Sequence, residues 1–300
     1  MVFHVFLLFF RFYIPFTHRS ELSYIIVVSN LPAEGACRAA AGREAETMGE
    51  RAAERAYRII KGTIRLFYPR FTCEGVELIP EEPVIFVGNH SQMDGPIAGE
   101  FYMPVPRKTW CASQMMERKE VAAYAFQDFW AQNPKWTHWF YKGLARAIVP
   151  LSVLLFNHAE TIPVYRDNRV LSTFRATIQA LESGVSVLIF PEKDGEHDNI
   201  LYPFQDHFID AARLWYKRSG KALRFVPLYV CRARKTLCFG EPVVFDPTAP
   251  LDAERARVCE ALRDRIRSTA RALPRHRVVP YRPMKKRLYP YNRPKEADKA

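Results

Sequence analysis

The chain has 300 residues, 48% of them hydrophobic and 13% aromatic, with a formal net charge of +12. Length and apolar content suit a globular protein with a real core, and the charge draws polyanions (nucleic acid, anionic lipid surfaces, phosphorylated substrates) without choosing among them. Six scattered cysteines with no CxxC pair match no zinc-ligand spacing and read as reduced thiols, since a chain this long needs no disulfide staples, and no stretch reaches the ~18–20 apolar residues of a membrane span.

Residues 1–47 open on MVFHVFLLFFRFYIPF, apolar but short and interrupted by Arg11. Three readings stand open for this extension: the h-region of a signal peptide, a membrane-anchoring helix, or a segment that is not native, since MGERAAERAYRIIKG from Met48 reads like a fresh start. Residues 48–74 follow as a basic amphipathic helix, with Ala53, Tyr57, Ile60 and Ile64 on one face. Such a helix suits a lipid interface or a place against its own domain.

Across 75–274, short apolar runs alternate with helical patterns. VELIP, PVIFVG, TWCAS, VSVLIFPE, RFVPLYV, TLCFG and PVVF read as strands. DGPIAGEFYM starts a helix, and LSTFRATIQALESG predicts another with Leu171, Phe174, Ile178 and Leu181 inward. QDHFIDAARLWYKRSG is a third, and Asp252 to Leu273 a fourth. This alternation implies an α/β fold with a largely parallel sheet in a single domain. Pro227 within FVPLYV argues for an edge strand or a turn lining a site.

Two stretches break the rhythm. Residues 121–160 are rich in Trp, Phe and Tyr, as at membrane interfaces, around apolar ligands, or in ordinary cores. Residues 275–300 form a basic tail rich in Pro and Tyr, expected to be extended or disordered and suited to a phosphate-bearing surface.

Three blocks carry chemistry. In VGNHSQMDGP, a helix starting near Asn89 would set His90 and Asp94 one turn apart, as a general base and the carboxylate that orients it. In TIPVYRDNR, Arg166 and Arg169 follow a strand and can clamp a phosphate. In VLIFPEKDGEHDN, Glu192 sits at a strand's carboxyl end, where open α/β sheets bind ligands. The acidic residues after it read as a solvated loop, not a metal site.

Taken in order, NHSQMD, PVYRDNR, FPEKDG and VPLY resemble the four motifs of the glycerolipid acyltransferase family, over roughly residues 75–245. The resemblance implies a mixed, mainly parallel sheet flanked by helices, with the acyltransferase domain at 75–274. It also implies acyl-CoA or acyl carrier protein as thioester donor and a phosphorylated glycerolipid acceptor, with no cofactor. His90 and Asp94 would be catalytic; Asn89, Arg166, Arg169, Glu192 and Lys193 would bind substrate, and the acceptor's alkoxide would attack the thioester directly. An anionic membrane surface, the cytoplasmic face, is the expected peripheral location. Two features depart from the family: three residues, not four, separate His90 from Asp94, and Lys193 replaces a glycine.

HSQMDG also satisfies the H-x-x-x-D-G pattern of another class of CoA-dependent acyltransferases, which the later blocks disfavour. A catalytically inactive lipid-binding homologue is the non-enzymatic alternative. No nucleic-acid-binding pattern is present, so nucleic acid is not expected as a partner.

Overall fold

Among the described residues, eight strands form one sheet: β1 (Thr72–Glu74), β2 (Ile85–Gly88), β3 (Arg107–Ala112), β4 (Thr161–Val164), β5 (Ser186–Ile189), β6 (Arg224–Cys231), β7 (Thr236–Phe239) and β8 (Val243–Val244). Their spatial order is β1-β7-β6-β2-β5-β3-β4, with β8 paired to β6. The pairs from β6 through β2, β5 and β3 to β4 are parallel, as is β1 with β7; β6 meets β7 and β8 antiparallel. The sheet is therefore mixed and mainly parallel. The structure is a computed structural model and describes residues 38–131 and 133–294; most of the extension with three open readings lies outside them.

The helices are α1 (Arg38–Phe67), α2 (Asp94–Tyr102), α3 (Val121–Ala125), α4 (His138–Ala147), α5 (Val149–His158), α6 (Val170–Glu182), α7 (Asp210–Ser219) and α8 (Leu251–Ala272). Two compact units result. One takes in α1 as far as Ile64 together with Gln114–His158; the other takes in Arg65–Ser113 and the chain from Ala159 onward.

The sheet lies in the second unit. Every residue of β2 and β5 is buried, as strands covered on both faces must be. Alternate residues Ile85, Val87, Val187, Ile189, Phe225 and Tyr229 join one core with Ile178 and Leu181 of α6, Ala211 and Ala212 of α7, and Val258, Leu262 and Ile266 of α8. Period two on the strands thus meets period 3.6 on the helices.

Three local expectations change. VELIP is a 3-10 turn (Val76–Leu78), entered through Gly75 in the left-handed region at φ 76, where an extended strand cannot continue. Leu171 is exposed, while Ile178 and Leu181 are buried as expected and Thr173, Thr177 and Ala180 complete the inner face of α6. Pro227 lies inside the central strand β6, not at an edge. It is tolerated because β8 pairs only Arg224 and Phe225 while β7 starts at Leu228, so the missing N–H falls between the two partners. Its carbonyl accepts the Gly240 N–H at 2.9 Å.

In the first unit, Ala125, Trp130, Ala145 and Ile148 form a small core, with Phe126, Phe129, Tyr141 and Leu144 packed against it. Trp130 stacks on Tyr141 at 5.9 Å, and Tyr57 of α1 stacks on His158 at 6.1 Å. Ordinary packing thus accounts for part of the aromatic cluster. Trp136, Trp139 and Phe140 remain exposed, Trp136 at 79% and Trp139 at 76%. Among the described residues no single helix is long and apolar enough to cross a membrane; α4 with its preceding turn and α5 are so only together, bent by 44°.

Candidate active site

β2 and β5 are parallel neighbours with Val87 opposite Ile189, so the loops at their carboxyl ends leave the sheet side by side. The first loop begins with Asn89, 2% exposed. Its Oδ1 accepts the Val230 N–H at 2.6 Å and its Nδ2 donates to the Val230 carbonyl at 3.3 Å. The side-chain amide thus extends the β2–β6 ladder past its last backbone pair. Both halves of the Asn89 amide, expected to contact substrate, are here bonded to the Val230 backbone.

Ser91 and Gln92 follow with positive φ, 48° and 54°. Two non-glycine residues in the left-handed region cost about 1–2 kcal/mol each. The turn is closed by Asp94 N–H to the Ser91 carbonyl and Gly95 N–H to the His90 carbonyl, each at 3.0 Å. Gly95 is required here, since a Cβ would stand 2.5 Å from the His90 carbonyl oxygen and 2.8 Å from the Phe190 ring.

This turn decides the state of His90. Its Nδ1 bonds the carbonyl oxygen of Gln92, which can only accept, so Nδ1 carries the proton and Nε2 carries the lone pair. Burial pushes the imidazole down to about 4, which keeps it neutral near pH 7. Phe190 lies 5.3 Å from the ring on one side and Tyr281 5.4 Å on another.

The Asp94 carboxylate is bonded elsewhere. Helix α2 begins at Asp94 rather than near Asn89, so the two side chains share no helical face. The Asp94 carboxylate accepts the Tyr68 hydroxyl at 3.0 Å and pairs with Arg232 Nε at 3.3 Å. No hydrogen bond joins His90 and Asp94 among the described residues. Burial raises the Asp94 pKa against the opposing pull of Arg232, Tyr68 and Lys286.

Glu192 is 5% exposed and is turned inward. Oε2 accepts the His90 backbone N–H at 2.6 Å and Oε1 the Tyr202 N–H at 2.9 Å. Burial pushes it up to about 7 although both N–H groups favour the anion. Where a contact with acceptor hydroxyls was expected, both carboxylate oxygens are engaged by backbone N–H groups, one of them that of His90. Lys193, next in the chain, is exposed.

Arg166 and Arg169 follow β4 at the same carboxyl edge. β4 stands three strand spacings from β2, roughly 14 Å at about 4.8 Å each. Arg166 is exposed. Arg169 forks onto Asp167, with Nη2 to Oδ2 at 2.8 Å and Nε to Oδ2 at 3.0 Å, and lies over the Tyr165 ring. Among the described residues no group of three or more His, Cys, Asp or Glu side chains could hold a metal ion.

Sequence reasoning missed Tyr68, Gln92, Arg232, Tyr281 and Tyr289. Arg232 directly follows β6, as Arg166 lies just beyond the end of β4. The tail, expected to be extended or disordered, packs over the loop through its described residues 275–294, with Val278 and Asn292 buried; its lack of helix or strand period hid these contacts.

No family model and no curated protein matches the sequence. Among solved structures, the chain is similar to the crystal structure of the 1-acyl-sn-glycerophosphate (LPA) acyltransferase PlsC from Thermotoga maritima. The identity is 16% and the TM-score 0.37, over 72% of this chain and 81% of that one. At that score and identity, neither activity nor residue roles pass from one chain to the other.

Proposed function

We propose that this protein transfers a fatty acyl group from a thioester, acyl-CoA or acyl carrier protein, to a hydroxyl of a glycerol-phosphate lipid. The observation that carries the reading is His90 at the carboxyl edge of a parallel sheet, neutral, with Nδ1–H held by Gln92 and the Nε2 lone pair left for a substrate proton. The order of the four sequence blocks supports the substrate class.

In this reading Nε2 removes the acceptor hydroxyl proton as that oxygen bonds the thioester carbonyl carbon. The C–S bond then breaks, and the imidazolium returns its proton to the thiolate. No acyl-enzyme intermediate forms. Backbone geometry, through Gln92 and Glu192, holds the imidazole where a carboxylate would in a triad.

Arg166 and Lys193, both exposed at the carboxyl edge, are the proposed contacts of the acceptor phosphate, and Arg169 joins them when Asp167 is displaced. The protein is proposed to work at the cytoplasmic, anionic face of a membrane. Trp136, Trp139 and Phe140 lie exposed near Lys142 and Arg146, the mix of aromatic and basic groups that suits a headgroup layer.

The test is direct. Purified protein is offered labelled acyl-CoA or acyl carrier protein with lysophosphatidate, glycerol 3-phosphate or lysophospholipids. A labelled lipid product that His90→Ala cannot form is expected; no product with any pair overturns the reading. A second reading, a lipid-binding homologue without turnover, is favoured by Asp94 lying with Tyr68 and Arg232 instead of His90. Retained lysolipid binding with no transfer would select it.

A further inference from the structure

The loop between Val278 and Pro290 is closed at its neck. Val278 N–H donates to the Pro290 carbonyl at 2.8 Å, Asn292 N–H to the His276 carbonyl at 3.1 Å, and Arg277 bridges Tyr291. Asn292, 3% exposed, accepts the His276 N–H at 2.8 Å and donates to the carbonyl of Ala270 in α8 at 2.8 Å. A loop of this size with joined ends is a compact Ω-type loop.

Its contacts converge on the candidate base. The Tyr281 ring stands 5.4 Å from the His90 imidazole and 6.0 Å from the Tyr202 ring. The Tyr289 hydroxyl accepts a hydrogen bond from Gln92 Nε2 at 3.1 Å. Arg282 forks onto Asp194, two residues beyond Glu192. One loop therefore touches the imidazole, the residue whose carbonyl accepts the Nδ1–H hydrogen bond, and the segment whose carboxylate holds the His90 backbone.

We propose that this C-terminal loop positions the base: Tyr281 covers the His90 ring, and Tyr289 holds Gln92 in the left-handed conformation that presents its carbonyl to Nδ1. Both tyrosines are positioning residues, acting through His90 and Gln92. Their role in acyl transfer rests on the function proposed above, but their effect on the imidazole is measurable without turnover. The groups facing the base are Phe190 and Glu192 after β5, Tyr281 and Tyr289 in the loop, and beyond Gln92 the Asp94–Arg232 pair with Lys286.

The experiment is a histidine titration by NMR on the full chain labelled at its histidines, with His90 assigned by the signal lost in His90→Gln. The wild type is expected to show an Nδ1–H imidazole titrating well below 6.5. Tyr281→Phe keeps the ring and both properties. Tyr281→Ala admits water and moves the midpoint up by about one unit or more. Tyr289→Phe removes the Gln92 acceptor and brings in the Nε2–H tautomer. Arg282→Gln, which leaves both tyrosines in place, moves the midpoint up by a smaller step and decides alone should Tyr281→Ala not fold. An unchanged midpoint and tautomer in the folded variants overturns the proposal. Transfer assays on the same samples separate the two ideas. An inactive wild type whose His90 still responds to these variants overturns the proposed function alone. An active wild type whose His90 does not respond overturns the loop's role alone.

Discussion

The carboxylate of Glu192 accepts a hydrogen bond from the backbone N–H of His90 at 2.6 Å, across 102 residues of sequence. Two loops from adjacent parallel strands are thereby locked together, and the acidic residue of the FPE block acts on the base from behind. Glu192→Gln leaves an amide NH2 facing one of two buried N–H groups, at a cost of about 1–3 kcal/mol. The pH trend is the sharper readout. The folded pKa of about 7 lies above the ordinary 4.5, so below pH 4.5 the carboxyl is protonated whether folded or unfolded. Between these values the unfolded chain gives up its proton first, and stability declines by on the order of 3 kcal/mol as pH rises. His90 contributes an opposing rise over nearly the same range, so the readout is the difference: urea denaturation at several pH values should show the wild type losing stability relative to Glu192→Gln as pH rises from about 4.5 to 7, and a difference that does not change with pH would refute it.

His90→Ala should lower kcat/KM by roughly 10²–10⁴ with the fold intact. Burial sets the imidazole near 4, so the acid limb of the rate profile belongs near pH 4, where protonation removes the Nε2 lone pair. The same depression means His90 contributes stability above pH 6.5 that is lost as pH falls through about 4. An acid limb at pH 6.5 would place the ring in water.

Asp94→Asn separates the triad-like expectation from the observed geometry. It removes the charge that Arg232 pairs with while leaving the Nδ1–Gln92 bond in place. The expected result is a stability loss of about 1–3 kcal/mol with the His90 tautomer unchanged. Combining it with Arg232→Gln in a double-mutant cycle should give a coupling energy well above zero. A His90 tautomer that switches in Asp94→Asn would restore Asp94 as the orienter.

Asn89→Ala leaves the Val230 N–H and carbonyl without their partner in a buried strand, costing about 1–3 kcal/mol for each. Chemical denaturation measures this, and the acceptor KM of the folded fraction should stay the same. A raised KM without destabilisation would return Asn89 to substrate binding.

For the membrane surface, Trp136→Ala with Trp139→Ala should weaken partitioning onto anionic vesicles about tenfold or more without altering the thermal midpoint, since both side chains are exposed. Equal partitioning of variant and wild type would remove the tryptophans from that role.

Sheet class and most elements were legible in the sequence because hydrophobic period is a local property. β2, β5 and β6 announced themselves as apolar runs, and Gly220 ended α7 in the left-handed region at φ 70. VELIP failed because one left-handed glycine outweighs a short apolar run. His90 could be picked out as a base, since the residue type and its place after a strand are both visible along the chain.

Its partners could not. The spacing from His90 to Asp94 suggests a pair only on a helix, and the backbone enters that helix four residues later, through a left-handed turn. Glu192 and Val230 reach the NH block from 102 and 141 residues away because β5 and β6 flank β2. Tyr281 and Tyr289 come from a tail without secondary-structure period. By itself the sequence determined an α/β sheet, a basic surface and one candidate base. Only the tertiary structure decided what holds that base, because hydrogen-bond partners are set by strand order and turn handedness, which local composition does not encode.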